Sequence, residues 1–281
     1  MTGQAADSWQ VLPAGTFALD GGAMFGVVPR VLWQKVLPPD SEHRVRLGLN
    51  CLLVRSGPQV ILVETGIGRT GDATFGRRHA PSDEDGLASA LAAAGVEPEE
   101  VTDVVNTHLH WDHAGGNCRR RPDGSLEPAF PRATYHIQRG EWQFARQASA
   151  RMKGSYRADD FEPLDRAGRL LLLDGPATIA PGVQVRPAPG HLPFMQVVTV
   201  HTETGTLFFP SDLVPTRHHL APAWGMSFDC EPLVVAAEKR RWLERAARKD
   251  WTLLFYHDAD APLARVESAG GRFSLRPAEG D

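Results

Sequence analysis

The distribution of apolar and polar residues along the chain predicts short strands interleaved with helices. Segments rich in Val, Leu, Ile and Phe and bounded by Gly or Pro are typical of strands. These segments span residues 10–19, 44–55, 59–64, 103–107, 133–138, 183–187, 195–202, 206–210 and 251–256. The last of them is almost continuously apolar, as expected for a strand buried on both faces. The pattern predicts a mixed α/β fold in which helices cover sheets.

Three segments have helical character. The first begins after Ser82, where acidic residues fill a first turn, and continues through Leu87 and Leu91 until Gly95. The second spans residues 140–150. The third, at 231–249, is the longest and carries apolar side chains at helical spacing, with Glu244 four residues before Arg248.

Composition excludes several classes of protein. The chain has 281 residues and a formal net charge of −4 with histidine neutral. Its one short basic cluster, at 119–121, is no footprint for a phosphate backbone, so we expect no nucleic-acid partner. Neither a signal-type segment at residues 1–10 nor a long apolar stretch is present, so we expect no membrane partner and a cytoplasmic location. With no linker or repeat, we predict one domain over residues 1–281.

Histidine is the unusual component, because three of the eleven fall within six residues. The cysteines, at positions 51, 118 and 230, are odd in number and far apart, which indicates neither a disulfide framework nor a thiolate zinc site. Thr107 to Gly116 reads THLHWDHAGG and directly follows a predicted strand. Alternate positions His108 and His110 point the same way in an extended chain, and Asp112 and His113 face another side after a turn. The segment predicts a site for adjacent divalent metal ions, against the alternative of a histidine-rich surface loop.

Three further candidate ligands each follow an apolar strand. They are His191 in Pro-Gly-His, Asp212 in Pro-Ser-Asp and His257 in Tyr-His-Asp. Each alone is weak, because a single strand-end His or Asp is more often a turn or cap residue. Ligands that converge from several strand ends are how α/β scaffolds usually build a site.

The order His-x-His-x-Asp-His resembles the signature of the metallo-β-lactamase superfamily. The matching residues are His108, His110, Asp112 and His113, followed by His191, Asp212 and His257. The resemblance covers nearly the whole chain and implies a four-layer αββα sandwich of the α/β (α+β) class, with helices outside two facing mixed sheets. It assigns one metal to His108, His110 and His191 and the other to Asp112, His113 and His257, with Asp212 bridging the two.

This ligand set predicts hydrolysis without a Ser or Cys nucleophile. Water shared by two cations ionises near neutral pH, and the cations polarise a carbonyl or phosphoryl oxygen. The catalytic residues are then Asp112, which returns a proton to the leaving group, and the bridging Asp212. The resemblance also places Glu64 where the superfamily commonly has an Asp that supports the metal loop. We expect its carboxylate to orient a ligand histidine, the alternative being a solvated carboxylate at a strand end.

Within the superfamily, the sequence looks most like the branch of N-acyl-homoserine lactonases and methyl-parathion-type hydrolases. The resemblance lies in the segment from His108 to Asn117 and in the complete set of histidine ligands. Those lactonases often have a substrate-facing Tyr three residues after the bridging Asp, where this chain has Pro215. A metal-dependent lactone or ester hydrolase is therefore the main prediction. A phosphotriesterase or other phosphoester hydrolase is the alternative, followed by a non-catalytic metal-binding or ligand-sensing protein.

The substrate side is less marked in the sequence. We interpret residues 20–26 as a loop that faces a small-molecule substrate with an apolar portion, against the alternative of core packing. The candidate substrate-binding residues are Met24, Phe25, Trp33, His218, His219 and Trp224. The cofactor prediction is two divalent ions, Zn²⁺ first, with Mn, Fe or Co compatible with the same donors. A homodimer face or lid around Trp142, Phe144 and Phe161 is a further hypothesis, with ordinary packing as its alternative.

Overall fold

The computed structural model describes residues 5–68, 72–82 and 85–278. Its strands are β1 (Ser8–Asp20), β2 (Arg44–Ser56), β3 (Gln59–Val63), β4 (Asp103–Val105), β5 (Cys118–Arg120), β6 (Leu126–Pro128), β7 (Thr134–Gln138), β8 (Leu170–Leu173), β9 (Ala177–Ala180), β10 (Val183–Pro187), β11 (Gln196–Thr202), β12 (Gly205–Phe209), β13 (Thr252–Leu254), β14 (Leu263–Ala269) and β15 (Arg272–Arg276). Its α-helices are α1 (Gly21–Phe25), α2 (Arg30–Trp33), α3 (Ala73–His79), α4 (Gly86–Ala93), α5 (Trp111–Ala114), α6 (Arg139–Arg146), α7 (Glu162–Arg166) and α8 (Pro232–Arg248).

The strands form two large mixed sheets and a small hairpin. The first sheet has the order β1-β2-β3-β4-β7-β8, in which β3, β4, β7 and β8 run parallel to one another and the β1/β2 and β2/β3 pairs are antiparallel. The second has the order β15-β14-β13-β12-β11-β10-β9, with β12 and β13 as its parallel pair. Strands β5 and β6 form the hairpin. Parallel strands end at the same edge of a sheet, so the loops after β3, β4 and β7 lie side by side.

One apolar core joins the two sheets. It contains side chains from both, such as Leu52 and Val104 from the first sheet and Val198 and Phe208 from the second. Helix α4 packs on β1 and helix α8 on β14, so that helices cover the outer faces. The predicted mixed α/β class and its sandwich architecture are confirmed.

Asn50, on β2, links the two sheets by hydrogen bonds to the segment that follows β13. Its buried amide donates to the carbonyl oxygens of Phe255, Tyr256 and Asp258 at 3.1, 3.0 and 2.7 Å. Next to it, the amide of Gly48 donates to the carbonyl of His257 at 3.0 Å. These bonds fix the segment that carries His257 against the first sheet.

The predicted strands and helices agree with the structure, apart from their ends and one segment. The first predicted helix lies at Gly86–Ala93, and the acidic residues Asp83 and Glu84 are outside the described residues. The segment at 20–26, interpreted as a loop, is instead the short helix α1. Asp20 caps it by accepting a hydrogen bond from the amide of Ala23 at 2.8 Å, and this local bond is what the interpretation missed.

The aromatic residues considered for a dimer face or lid pack inside the protein. Trp142 and Phe161 are buried and meet edge to face with ring centroids 5.5 Å apart. Phe144 is half-buried and packs against Tyr156. This arrangement favours the packing alternative for these side chains. Among the described helices, none is both long enough and apolar enough to cross a bilayer.

Candidate metal centre

The histidine-rich loop begins where β4 ends, in the interior of the first sheet. His110 has extended backbone angles, with φ −61° and ψ 150°, and α5 starts at the next residue. Asp112 and His113 therefore lie in the first turn of a helix, whereas His108 and His110 precede it. This change of backbone direction divides four consecutive ligand candidates between two neighbouring groups.

Glycine is required where the loop turns back against the chain after β3. A Cβ at Gly115 would lie 2.0 Å from the carbonyl oxygen of Ile67, and a Cβ at Gly116 would lie 2.3 Å from that of Thr65. The two backbones also bond directly, because the amide of Thr65 donates to the carbonyl of His113 at 2.8 Å. Any larger side chain at these glycines would push the loop away from β3.

The first ligand group joins residues from three parts of the chain. One atom each from His108, His110, His191 and Asp212 lies within 4.8 Å of all the others. Nε2 of His191 is 3.3 Å from Nδ1 of His110 and 3.3 Å from Oδ2 of Asp212. All four residues are buried.

The second group consists of Asp112, His113 and His257, again with one atom of each within 4.8 Å of the others. Nε2 of His113 and Nε2 of His257 are 3.2 Å apart. Oδ1 of Asp212 lies 3.3 Å from each of these two nitrogens. The two oxygens of Asp212 thus face different groups, and this carboxylate stands between them.

The donor chemistry of these groups fits divalent cations. Nε2 of His108, Nε2 of His110 and Oδ1 of Asp212 are buried without a hydrogen-bond partner among the described residues, although buried polar atoms are normally paired. Burial, together with the neighbouring imidazoles of His113 and His110, holds the pKa of His108 well below its usual value. Neutral imidazoles and carboxylates at this density are the ligands that zinc and related metals use.

Glu64 lies beneath the second group, against the imidazole of His113. It has a positive φ of 64° and is fully buried. Its Oε1 is 3.1 Å from Nδ1 of His113, and the same carboxylate accepts hydrogen bonds from the amide and hydroxyl of Thr107. Although Glu64, His108 and His113 also form a compact set of donors, the Glu64 carboxylate is already engaged by Thr107 and His113. The alternative of a solvated carboxylate is wrong.

Other candidate ligand histidines have hydrogen-bond partners that sequence reasoning missed. Nδ1 of His191 is 3.0 Å from Oδ1 of Asp229, and Nδ1 of His257 is 3.0 Å from the carbonyl oxygen of Gly48. Nδ1 of His108 is 3.0 Å from the hydroxyl of Thr107. Each contact leaves Nε2 of the ring free for a ligand role and fixes the ring orientation. Asp229 is 38 positions from His191, and nothing in the local sequence distinguishes it from a loop carboxylate.

A second missed residue, Glu141, holds the loop between His108 and His110. Its Oε1 accepts hydrogen bonds from the amide of Leu109 at 3.0 Å and from the hydroxyl of Tyr156 at 3.1 Å. Burial raises the pKa of Glu141 to about 7. Glu141 is one of the buried residues of α6, and nothing in the sequence of this helix distinguishes it from an exposed carboxylate.

A cavity of about 480 Å³ opens above both ligand groups. His110, Asp112, His191, Asp212 and His257 reach it from below. Its apolar wall consists of Leu19, Met24, Trp111, Met226 and Phe228, and charged side chains that include Arg44 and Arg78 also line it. Of the six candidate substrate-binding residues, Met24 is the one found in this lining.

The other five substrate-binding candidates lie behind or beside the wall. Phe25 stacks on Trp33 and His219, with ring centroids 5.4 and 4.8 Å apart, and Trp224 meets Phe25 edge to face. His219 is fully buried and lies 2.9 Å from the carbonyl oxygen of Met24 through Nε2, so the stack supports α1. His218 is half-buried in the turn Arg217–His219.

No tyrosine hydroxyl is free above the ligands in the described part of the chain. Pro215 occupies the position of the lactonase tyrosine, and its carbonyl accepts a hydrogen bond from the amide of His257. Tyr156 donates to Glu141, and Tyr256 donates to the carbonyl of Asp112 at 2.6 Å. The third tyrosine, Tyr135, donates to the carbonyl of Asn117.

Comparisons with known proteins agree with this geometry. An N-acyl homoserine lactonase from a Bacillus species is 27% identical over 225 residues, covering 75% of this chain and 81% of the relative. A probable metal-dependent hydrolase from Staphylococcus aureus superposes with a TM-score of 0.89 at 25% identity over 99% of both chains. AidC, a dizinc quorum-quenching lactonase solved with a product, has the same fold, with a TM-score of 0.78 at 22% identity over 100% of this chain and 98% of that chain.

A family model also recognises the sequence. The model described as metallo-beta-lactamase superfamily matches residues 45–257, a span that contains every ligand candidate from His108 to His257. The chain therefore belongs to the metallo-beta-lactamase superfamily, and its lactonase relatives lie in the branch that the histidine motif predicts.

Proposed function

We propose that the protein is a divalent-metal-dependent hydrolase that opens lactones or cleaves related carboxylic esters. The observation that carries the proposal is the position of Asp212 between two ligand groups at the floor of a partly apolar cavity. The N-acyl homoserine lactonases among its relatives support the choice of reaction.

Two metal ions would be held by the residues that form the two groups. One ion would be held by His108, His110 and His191, and the other by Asp112, His113 and His257. Asp212 would contribute to both. Zn²⁺ is the first choice for these donors. When bound, such ions lower the pKa of water and polarise a carbonyl oxygen, so that the reaction needs no covalent nucleophile.

Neither Ser211 nor Cys51 is placed to act as a nucleophile, so hydrolysis without a covalent intermediate is the simplest mechanism. The hydroxyl of Ser211 is buried and lies 2.8 Å from that of Thr107. Cys51 is fully buried, and burial raises the pKa of its thiol, so that it stays protonated. Neither group is placed to attack a substrate in the cavity.

Asp112 is the residue we assign to proton transfer. Its carboxylate lines the cavity, with Oδ2 3.6 Å from Nε2 of His257. Tyr256 holds its backbone carbonyl, which fixes the first turn of α5. From this position the carboxylate can take the proton that the attacking water gives up and pass it to the leaving alkoxide.

The cavity favours a small substrate with one apolar portion. Its volume of about 480 Å³ lies in the usual range for small-molecule sites. Met24 and Met226 have flexible, polarisable side chains, which adapt to apolar chains of different shape. We therefore place the ester or lactone carbonyl over the ligand groups and the apolar portion of the substrate against Met24 and Met226 in the apolar wall.

A phosphotriester is the second candidate substrate. The observation that favours it is Pro215, because no described tyrosine hydroxyl is left to donate to a carbonyl oxygen. A phosphoryl oxygen would be polarised by the same ions without that donor. The two candidates differ in substrate and share the ligand groups.

Turnover on a substrate panel tests the proposal. Protein loaded with zinc, manganese or cobalt should open lactones of several acyl-chain lengths, and chelation should abolish this activity. His108→Ala should lack turnover, whereas His43→Ala, an exposed histidine, serves as the matched control. Faster turnover of phosphotriesters than of lactones would select the second candidate. Two bound metals without turnover of either class would indicate a binding protein.

A further inference from the structure

The carboxylate of Asp229 connects a ligand histidine to the wall of the cavity. Oδ1 lies 3.0 Å from Nδ1 of His191, and Oδ2 accepts a hydrogen bond from the amide of Met226 at 2.8 Å. The side chain of Asp229 is 1% exposed. Both oxygens are therefore engaged in a site closed to water, one toward the ligands and one toward the wall.

The loop that carries Asp229 is fastened on both sides of this contact. On the ligand side, the amide of Cys230 donates to the carbonyl of His191 at 2.9 Å, and that of Glu231 donates to Gly190 at 2.8 Å. On the wall side, the amide of Ser227 donates to the carbonyl of Ala23, next to Met24, at 2.8 Å. His191, Met226 and α1 are thus parts of one hydrogen-bonded unit.

A buried cation completes the unit. Lys239, on α8, is 1% exposed, and its ammonium donates to the carbonyl of Trp224 at 2.7 Å. Asp229 attracts this charge. A carboxylate at position 229 thus offsets a buried ammonium while its two oxygens accept from two donors, which the amide of an Asn side chain cannot do.

We propose that Asp229 is a positioning residue that couples metal retention at His191 to the chain-length selectivity of the cavity. Its Oδ1 holds the imidazole of His191 in the tautomer and orientation that leave Nε2 free for metal. Its Oδ2 holds Met226 in the wall that receives the apolar portion. The selectivity half rests on the proposed function, and the metal half stands without it.

Asp229→Asn tests the coupling because it keeps the shape and removes one acceptor. Zn²⁺ affinity is measured by competition with a chromophoric chelator, and we expect about a 10- to 100-fold loss for one of two ions. The proton NMR signal of the Nδ1–H of His191, shifted downfield by the carboxylate, should move upfield. Glu231→Gln is the matched control, because Glu231 is exposed and two positions away.

The cavity end of the proposal is measured by binding, so that it does not depend on turnover. Calorimetry measures the affinity of the protein for short-chain and long-chain alkanoic acids. The ratio of long-chain to short-chain affinity should be lower in Asp229→Asn than in the wild-type protein. A variant with unchanged zinc affinity overturns the proposal. A variant with weaker zinc binding but an unchanged chain-length ratio also overturns it, since the coupling is then absent. If the wild-type protein opens neither lactones nor esters, the proposed function fails. Zinc affinity then still tests the metal half, and the binding of alkanoic acids still tests whether Asp229 shapes the wall.

Met226→Ala provides a second test should Asp229→Asn not fold. It keeps the backbone amide that bonds to Oδ2, so zinc affinity and the His191 signal should stay at the wild-type values. The preference for long chains should fall severalfold. An unchanged preference for long chains would show that Met226 does not contact the apolar portion. A loss of zinc affinity would show that metal retention depends on the Met226 side chain and not on the contact between Asp229 and His191. Either result contradicts the proposal.

Discussion

Glu64 lies directly behind His113, with its Oε1 3.1 Å from Nδ1 of the imidazole and both side chains fully buried. Burial opposes a charge on His113, but the carboxylates of Asp212, Asp112 and Glu64 outweigh it and raise the pKa of His113 well above its usual value. The ring is thus held by a carboxylate on one side and turned toward the second ligand group on the other.

Glu64→Gln should weaken metal binding. The Gln side chain lacks the charge that strengthens the bond to His113. Its NH2 group also faces a group that donates to the Glu64 carboxylate in the wild-type protein, either His113 or Thr107. We therefore expect about a 10- to 100-fold loss of zinc affinity. Chelator competition measures it. Glu99→Gln, at an exposed site, should match the wild-type protein. Equal affinities in both variants would remove Glu64 from the support of the ligands.

Asp212→Asn should affect both ligand groups at once. Asn has a single oxygen, whereas the two oxygens of Asp212 face different groups. We expect the metal content, measured by atomic emission after gel filtration, to fall from two ions per chain to one or none, with loss of turnover. Asp123→Asn, in the hairpin turn, should retain two. A variant that retains two ions with wild-type affinity contradicts the bridging role.

Met24→Ala should change substrate affinity more than the rate of the chemical step. Met24 lines the cavity from α1, which carries none of the candidate metal ligands. Its truncation therefore removes apolar contact with the substrate. We expect KM to rise about tenfold for long acyl chains with a small change in kcat. Val27→Ala is the control, since Val27 is 90% exposed. A drop in kcat at constant KM would place Met24 nearer the reacting atoms.

Lys239 should make stability depend on pH. Burial lowers its pKa from 10.5 to about 8, so between these values the unfolded chain binds more protons than the folded one. The free energy of unfolding should therefore rise with pH across this window, by on the order of 1–3 kcal/mol. Lys239→Met removes the titration. Urea unfolding of both proteins from pH 8 to 10.5 measures the difference, and parallel pH profiles would show that Lys239 titrates normally.

The ligand loop was predictable from sequence because its chemistry is local. His108, His110, Asp112 and His113 are neighbours in the chain, and the strand before them fixes where they lie. The later candidates, His191, Asp212 and His257, were predictable because each follows an apolar strand and strand ends converge. Strand positions were likewise predictable from apolar runs, since most strands are buried on at least one face.

The supports and the cavity wall depend on contacts between distant segments, which the sequence pattern does not record. Asp229 reaches His191 through a loop with no regular periodicity. Phe25, Trp33 and His219 form one stack from three separate segments. Aromatic and histidine side chains near a site are equally compatible with lining it or supporting it, and only the packing distinguishes Met24 from its neighbour Phe25.

The most direct test of the account combines metal analysis and lactone turnover on the same sample. The account predicts two zinc ions per chain, lactone opening that disappears on chelation, and recovery of both on adding zinc back. Lactone opening that persists after the metal has been removed would contradict it, and so would a protein that holds two ions and opens no lactone or ester.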